Sequence, residues 1–272
     1  MQHVFDQAIE LSAPLDAQGG GTFTGHTHPA YANMVGPFGG ITAAQTLNAV
    51  MQHPARLGEP VSFTLNFCAA LADGAFTAHA TPVRTNRSTQ HWTIRIEQAG
   101  ETVVSATALT AVRRETWGMN EQAMPTVPPP ADVPAPQGKA RVAWIDNYDA
   151  RFISGGMPAV WDGADNGNSK TQLWMRDNPA RPLDFLSLTA LCDFFFPRIW
   201  QRKATFVPIG TVSMTVYFHV TSAQLAHIGS NYILGQAQGQ AFNQGFFDHS
   251  AQLWSETGTL LATSHQVVYY KE

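Results

Sequence analysis

A strand that occurs twice constrains this chain more than any other feature of its sequence. Val61 to Phe67 (VSFTLNF) returns far downstream inside Gly210 to Val220 (GTVSMTVYFHV). Val61, Ser62, Thr64 and Phe67 recur as Val212, Ser213, Thr215 and Phe218, four identities in seven positions at a constant offset of 151. A second pair keeps the same order: Glu101 to Ser105 (ETVVS) against Gly258 to Ala262 (GTLLA), at an offset of 157. Two strands repeated in one order imply a duplicated fold unit. The 272 residues then divide into two units of ordinary size instead of one large domain.

Composition narrows what such a pair of units can do. Only 13% of residues are charged, about half the usual share, against an ordinary 44% hydrophobic. A weakly charged surface suits large sheets and subunit contacts, so a homo-oligomer (dimer or tetramer) is an open expectation. A net charge of −4 argues against nucleic-acid binding, which needs a clearly basic face. Five arginines (Arg84, Arg87, Arg95, Arg113 and Arg114) nevertheless outnumber two glutamates (Glu97 and Glu101) in one stretch, enough for one local anion site beside ordinary solvated strand faces. Cys68 and Cys192, the only cysteines, are too few and too far apart for a disulfide framework or a zinc site. Together with an N-terminus that lacks the pattern of a secretory signal, they point to a reducing, cytoplasmic setting. No run of eighteen apolar residues exists, so no membrane partner is expected.

Phe5 to Leu11 reads as a first strand, Gly19-Gly20-Gly21 as a break, and Thr22 to Thr27 as a second extended piece. Val35-Gly36-Pro37-Phe38-Gly39-Gly40 then leads into a helix, Ile41 to Met51, in which Ile41, Ala44, Leu47 and Met51 recur at helical spacing and imply one apolar face. Its start carries uncommitted N–H groups and a positive dipole end, and glycines let another group approach that backbone. This junction is either an oxyanion or anion site or a tightly packed helix start. Four strands follow: Val61 to Phe67, Ala75 to Arg84, Ser88 to Gln98 and Thr102 to Val112. Pro125, Pro128, Pro129, Pro130, Pro134 and Pro136 mark a semi-rigid linker. Tyr148 to Ser154 and Thr171 to Arg176 resume as strands. A helix over Phe185 to Phe196 follows, opened by Pro182 and Asp184 and closed by Pro197. After the repeated strand come Asn231 to Gln240, Phe246 to Ser255 and Leu260 to Tyr270. The expected organisation is an N-terminal unit over residues 1–115, a linker over 116–145 and a C-terminal unit over 146–272. Each is α+β, with an antiparallel sheet wrapped around a central helix.

Asp193 is the only charged residue in the apolar run LSLTALCDFFFP, on the helix face of Leu186, Thr189 and Ala190. A carboxylate there demands a partner, whether for chemistry or only for structure. No GxSxG elbow, GxxxxGKS/T loop or HExxH helix is present, and His26-x-His28 lacks a third ligand, so neither a cofactor nor a metal is expected.

Two copies of hairpin, central helix and antiparallel strands resemble the double hotdog fold of the acyl-CoA thioesterase II family. Phe38-Gly39-Gly40 resembles that family's F-G-G helix start, Arg87-Ser88-Thr89 its G-R-S stretch, and Gln172-Leu173-Trp174-Met175-Arg176 its Q-V-W-I-R strand; the likeness covers nearly the whole chain. The family's active site is an Asp, a Thr and a Gln that hold the attacking water. By resemblance these fall on Asp193 in CDFFF, Thr211 in GTVSMTVYFH and Gln266 in LLATSHQVVYY. Val212-Ser213 after the Thr and the bulky phenylalanines after Asp193 depart from the family pattern. The resemblance implies hydrolysis of acyl-CoA. Asp193 would act as general base, Thr211 and Gln266 would orient water, Gly39 and Gly40 would offer backbone donors to the carbonyl oxygen, and Arg84 and Arg87 would meet coenzyme A phosphates. A double hotdog that binds acyl thioesters without hydrolysing them is the alternative.

Overall fold

The computed structural model describes residues 2–12, 21–135 and 137–272; the Gly19-Gly20 break and Pro136 of the linker lie outside the described residues. The first half forms helix α1 (Val4–Ala8), strand β1 (Thr22–His26), helix α2 (Gly39–Met51) and strands β2 (Glu59–Phe67), β3 (Ala75–Thr85), β4 (Thr89–Gln98) and β5 (Glu101–Ala111). The second forms β6 (Tyr148–Ser154), β7 (Thr171–Asp177), α3 (Phe185–Leu191), α4 (Arg198–Lys203), β8 (Ile209–Phe218), α5 (Ser222–Ile228), β9 (Ile233–Gln238), the short β10 (Phe242–Asn243), β11 (Phe246–Ser255) and β12 (Leu260–Tyr270). In β4 the side chains of Gln90, Trp92, Ile94 and Ile96 are buried while His91, Thr93 and Arg95 are exposed. That period of two belongs to a sheet with one face on a core and the other toward water.

All strands join one antiparallel sheet in the order β1-β3-β4-β5-β2-β8-β12-β11-β9-β7-β6, with β10 paired to β11. The repeated strands β2 and β8 lie side by side at its centre. Thr64 faces Thr215, its own repeat 151 positions later, and their hydroxyls meet at 3.0 Å. Ser62 faces Tyr217 and Asn66 faces Ser213, so a pseudo-twofold axis passes through the threonine pair. On either side the order of strands mirrors itself, and α2 packs against α3 on the buried face. This is the expected double hotdog: one antiparallel sheet wrapped around two central helices.

The second repeat is correct in place but slips by one residue. Phe67 faces Val104 and Phe218 faces Ala262, so Val104 corresponds to Ala262 at an offset of 158, not 157. A one-residue slip exchanges inward and outward positions, and the 157 alignment would have put outward Ser105 on inward Ala262. The symmetry extends to irregularities. Both central strands carry a bulge, at Val61 between Pro60 and Ser62 and at Val212 between Thr211 and Ser213.

Three expectations need correction. Phe5 to Leu11 is not a strand: Val4–Ala8 is a helical turn, capped by the His3 side chain, and only Leu11 bridges to Gly25. The segment closes the outer side of α2, where Gln45 donates to Ala8 O at 2.7 Å and Asn48 donates to Ile9 O at 2.8 Å. Those contacts also explain why α2 is buried all round from Gly40 to Val50, not on one apolar face. The second-half helix ends at Leu191, five residues before Phe196, and Phe196 itself is driven out of the helical region by the proline that follows it. Pro197 starts α4 instead of closing α3. Helix α5 was legible but unread: Thr221 and Gln224 form a reciprocal capping box.

The proline-rich segment runs across the outer face of the second half. Trp174 donates to Pro128 O at 2.8 Å, Arg151 to Pro130 O at 2.9 Å, and Val133 is buried with Trp174, Tyr232, Leu234, Trp254 and Leu260. Phe218 is buried beside the central seam, its ring edge-on to Phe185 at 5.4 Å. Phe218→Ala should lower stability by about 3–5 kcal/mol in urea unfolding.

Candidate active site

Helix α2 begins without a side-chain cap, since Phe38 at its N-cap offers no acceptor. The missing acceptor comes from the other half of the molecule. Asp193, in the turn that follows α3, brings its carboxylate to the start of α2 from across the helix pair, where the Gly40 N–H favours its charged form. Both glycines are required by distance. A Cβ on Gly39 would lie 2.7 Å from Asp193 Oδ2, and one on Gly40 would lie 2.6 Å from Ala190 O. Of the two readings of this junction, tight packing is the one these distances show.

Early termination of α3 is what brings Asp193 there. The helix is fixed at its start by Asp184, whose carboxylate accepts from the N–H groups of Leu186 and Ser187. At its end the three phenylalanines separate. Phe194 packs edge-on to Trp144 and Tyr148, each at 5.3 Å, Phe195 meets His249 at 5.8 Å, and Phe196 stacks on Phe152 at 5.3 Å. Their bulk turns the chain and leaves the Asp193 carboxylate facing the start of α2.

Gln266 reaches the same carboxylate from β12, donating Nε2–H to Asp193 Oδ1 at 2.9 Å, with Cys192 O at 3.4 Å and Met214 Sδ at 3.3 Å. Thr211 is placed by the bulge in β8. Regular alternation would put it on the opposite face from Met214, three residues on. The extra residue Val212 instead pairs Thr211 with Val268, on the buried face shared with Gln266. Asp193, Gln266, Gly39 and Gly40 thus converge, and Thr211 shares their face without a side-chain hydrogen bond among the described residues. Arg84 and Arg87 do not join them. They are exposed at the turn between β3 and β4, four to five strands from β12, roughly 20–24 Å along the sheet at about 4.8 Å per strand. Arg84 is engaged locally, donating to Asn86 Oδ1 at 3.0 Å.

Electrostatically the site is a carboxylate paired with no cation among the described residues. Burial pushes the Asp193 pKa up to about 7, offset in part by the Gln266 and Gly40 hydrogen bonds, which favour the charged form. An acid poised there exchanges protons near neutrality, the requirement for a general base. Two neighbours were invisible in the sequence. The Tyr148 phenol is buried, its pKa raised by desolvation and also by the nearby Tyr31, Asp177 and Asp193. His249 lies directly opposite Gln266 on β11. Only strand pairing reveals either; no spacing motif joins them to Asp193.

The family models of the acyl-CoA thioesterase N-terminal and C-terminal domains match residues 28–111 and 122–270. Among solved structures, a conserved protein of unknown function with a hot dog fold from Alicyclobacillus acidocaldarius is 46% identical, with a TM-score of 0.92, over 100% of this chain and 99% of that one. A putative thioesterase II from Thermobifida fusca is 16% identical, with a TM-score of 0.84, over 98% and 97% of the two chains. An acyl-CoA thioesterase II from Mycobacterium marinum is 16% identical, with a TM-score of 0.75, over 98% of each. The last two likenesses concern the fold. The chain matches none of the curated protein sequences.

Burial holds Asp193 near 7 and Asp177 near 6, both above the 3.8 of an unfolded aspartate. Between those values the folded chain binds more protons than the unfolded one, so these two groups make stability fall as pH rises from about 4 to about 7. Asp193→Asn should flatten part of that slope. It should also be more stable than the natural protein by roughly 1–2 kcal/mol at about pH 8, read by urea unfolding across pH.

Proposed function

The chain belongs to the acyl-CoA thioesterase family, and we propose that it hydrolyses acyl-CoA thioesters with Asp193 as the base that activates water and Thr211 and Gln266 as the groups that orient it. The observation that carries this reading is the 2.9 Å contact of Gln266 with Asp193, a part-buried carboxylate at the start of α2 that pairs with no cation among the described residues. No helix among the described residues is long and apolar enough to cross a membrane.

A water held between the Asp193 carboxylate and the Thr211 hydroxyl gives its proton to Asp193 while its oxygen attacks the thioester carbonyl carbon. Electrons of the carbonyl double bond move to oxygen, and the tetrahedral intermediate collapses with cleavage of the carbon–sulfur bond. Coenzyme A departs as thiolate, a good leaving group because a thiol ionises near about 8.5. It takes up a proton from solvent or from Asp193. No separate strong acid is needed. Gln266 holds one oxygen of Asp193, which aims the other at the water and keeps the carboxylate from rotating.

Backbone donors at the start of α2 meet the negative carbonyl oxygen, but not as a pair. The Gly40 N–H favours the charged form of Asp193 and is assigned to the base. That leaves the Gly39 N–H, one position earlier, and the positive end of the helix. Gly40 positions the base and Gly39 serves the substrate.

Release of free thiol from a series of acyl-CoA esters tests the reading. Asp193→Asn should lower kcat by about 10²–10⁴ with KM changed only a few-fold. Binding without thiol release from every ester would leave an acyl-thioester-binding protein instead. In the natural enzyme kcat/KM should rise through about pH 7 as Asp193 loses its proton, since only the carboxylate is a base. A rate independent of pH across that range would remove Asp193 from the role. Gln266→Ala removes a hydrogen bond that favours the charged carboxylate, so the midpoint of this rise should move to higher pH while kcat falls.

A further inference from the structure

Arg198 is a buried charge with no acidic partner among the described residues. It is 0% exposed, at the start of α4, five residues beyond Asp193. Its Nη1 donates to Ser169 O at 2.8 Å and Thr171 Oγ1 at 2.6 Å, and its Nη2 donates to Phe196 O. All three acceptors are neutral. Its Nε–H has no partner. Nε–H and one Nη2–H lie on the same edge of a guanidinium, the edge that accepts a carboxylate side-on. Burial lowers its pKa only to about 9, so the group is still charged at neutral pH. A buried guanidinium without a counter-ion is costly, and the usual solution is a carboxylate from the same chain. None is bonded to it among the described residues.

His249 is a second unsatisfied group beside the first. It is 3% exposed, and its Nε2 has no partner. Burial lowers its pKa well below the ordinary value, with the fields of Arg198 and His265 adding to the effect, so its imidazole is neutral. One ring, Phe195, touches both groups: its centroid lies 5.8 Å from that of His249 and 6.0 Å from the Arg198 guanidinium carbon. His249 in turn faces Gln266, which holds Asp193. A continuous line of side chains therefore runs under the sheet from Asp193 through Gln266 and His249 to Arg198, whose partner Thr171 lies on β7. From β12 to β7 is three strand spacings, about 14 Å.

We propose that Arg198 and His249 form the polar end of the acyl pocket and that the preferred substrates are acyl-CoA esters whose acyl chain ends in a carboxylate. This rests on the thioesterase reading and names its substrate class. The thioester carbon sits at Asp193, the chain passes along Gln266 and Phe195, and the far carboxylate meets the Nε–Nη2 edge of Arg198 with His249 Nε2–H as an additional donor. Phe195 is the side chain that has to turn aside. Unsubstituted chains of equal length leave the guanidinium unbalanced.

The test compares ω-carboxyacyl-CoA with unsubstituted acyl-CoA across a series of matched lengths, using the natural protein. Both esters carry the same coenzyme A, so their ratio isolates the carboxylate. At the best length kcat/KM should favour the carboxylated ester by about tenfold or more, the range of one charge-assisted contact. Arg198→Met should bring the ratio to or below unity, whereas Arg198→Lys, which keeps the charge, should retain part of it. Equal or reversed preference in the natural protein at every length overturns the proposal, whatever the variants do. If no ester releases thiol, hydrolysis is excluded, and calorimetric binding of the same two esters decides the inference separately. Tighter binding of the carboxylated ester supports it, and equal or weaker binding overturns it.

Discussion

The antiparallel seam between β2 and β8 is the constraint on which the rest of the molecule depends. With Thr64 opposite Thr215, the strands β2, β5, β4, β3 and β1 of one half mirror β8, β12, β11, β9 and β7 of the other across a single axis, and the two central helices are brought together on the buried face. Arg113 reinforces the seam, donating to Pro60 O at 2.7 Å on one strand and Phe218 O at 3.0 Å on the other. Two hotdog units that folded alone would each leave a long strand edge and a helix face open. Pairing them removes both liabilities at once. It also places the start of α2 within reach of the turn after α3, where the candidate site is built.

Symmetry supplies the frame, and departures from it supply the chemistry. The bulge is present in both central strands, yet the residue it turns inward is Thr211 in one and Pro60 in the other. A proline carries no hydroxyl. The strand position of Gln266 is occupied in the first half by Ala108, since each faces the corresponding residue of its central strand, Met214 or Phe63. Side chains able to hold a carboxylate and a water are thus gathered in the second half. The first half contributes backbone: Gly39 and Gly40, kept free of side chains by the closeness of Asp193 and Ala190. One site results where the duplication alone would allow two.

That site is held at a cost in stability. Asp193 has no cation beside it, and Arg198 has no anion bonded to it among the described residues. Joined, they would neutralise each other; kept apart, each carries the cost of a charge removed from water. Burial raises the Asp193 pKa toward neutrality, and Phe194 next to it packs edge-on to Trp144 and Tyr148. The phenylalanine-rich turn that follows α3 is held by ring contacts of Phe194, Phe195 and Phe196 to three separate neighbourhoods, and these fix the direction of Asp193.

By itself the sequence determined that the chain is duplicated, that each unit is a helix with antiparallel strands, and which residue types could form an acid–base site. Repetition, periodicity and turn residues are local signals, and they survive without coordinates. The resemblance of short motifs carried Asp193, Thr211 and Gln266 to one family pattern. Only tertiary structure decided the register of β5 against β12, because apolar strands align by letters equally well one residue out, while burial separates the faces. It decided that Phe5 to Leu11 is a helical plug, because the acceptors Gln45 and Asn48 need lie on another element. It decided that Asp193 stands beyond α3 and that Val212 turns Thr211 inward. It also separated Arg84 and Arg87 from the trio and put Arg198 and His249 near it. Distances between residues far apart in the chain follow from how strands pair and helices pack, and no spacing in one dimension records them.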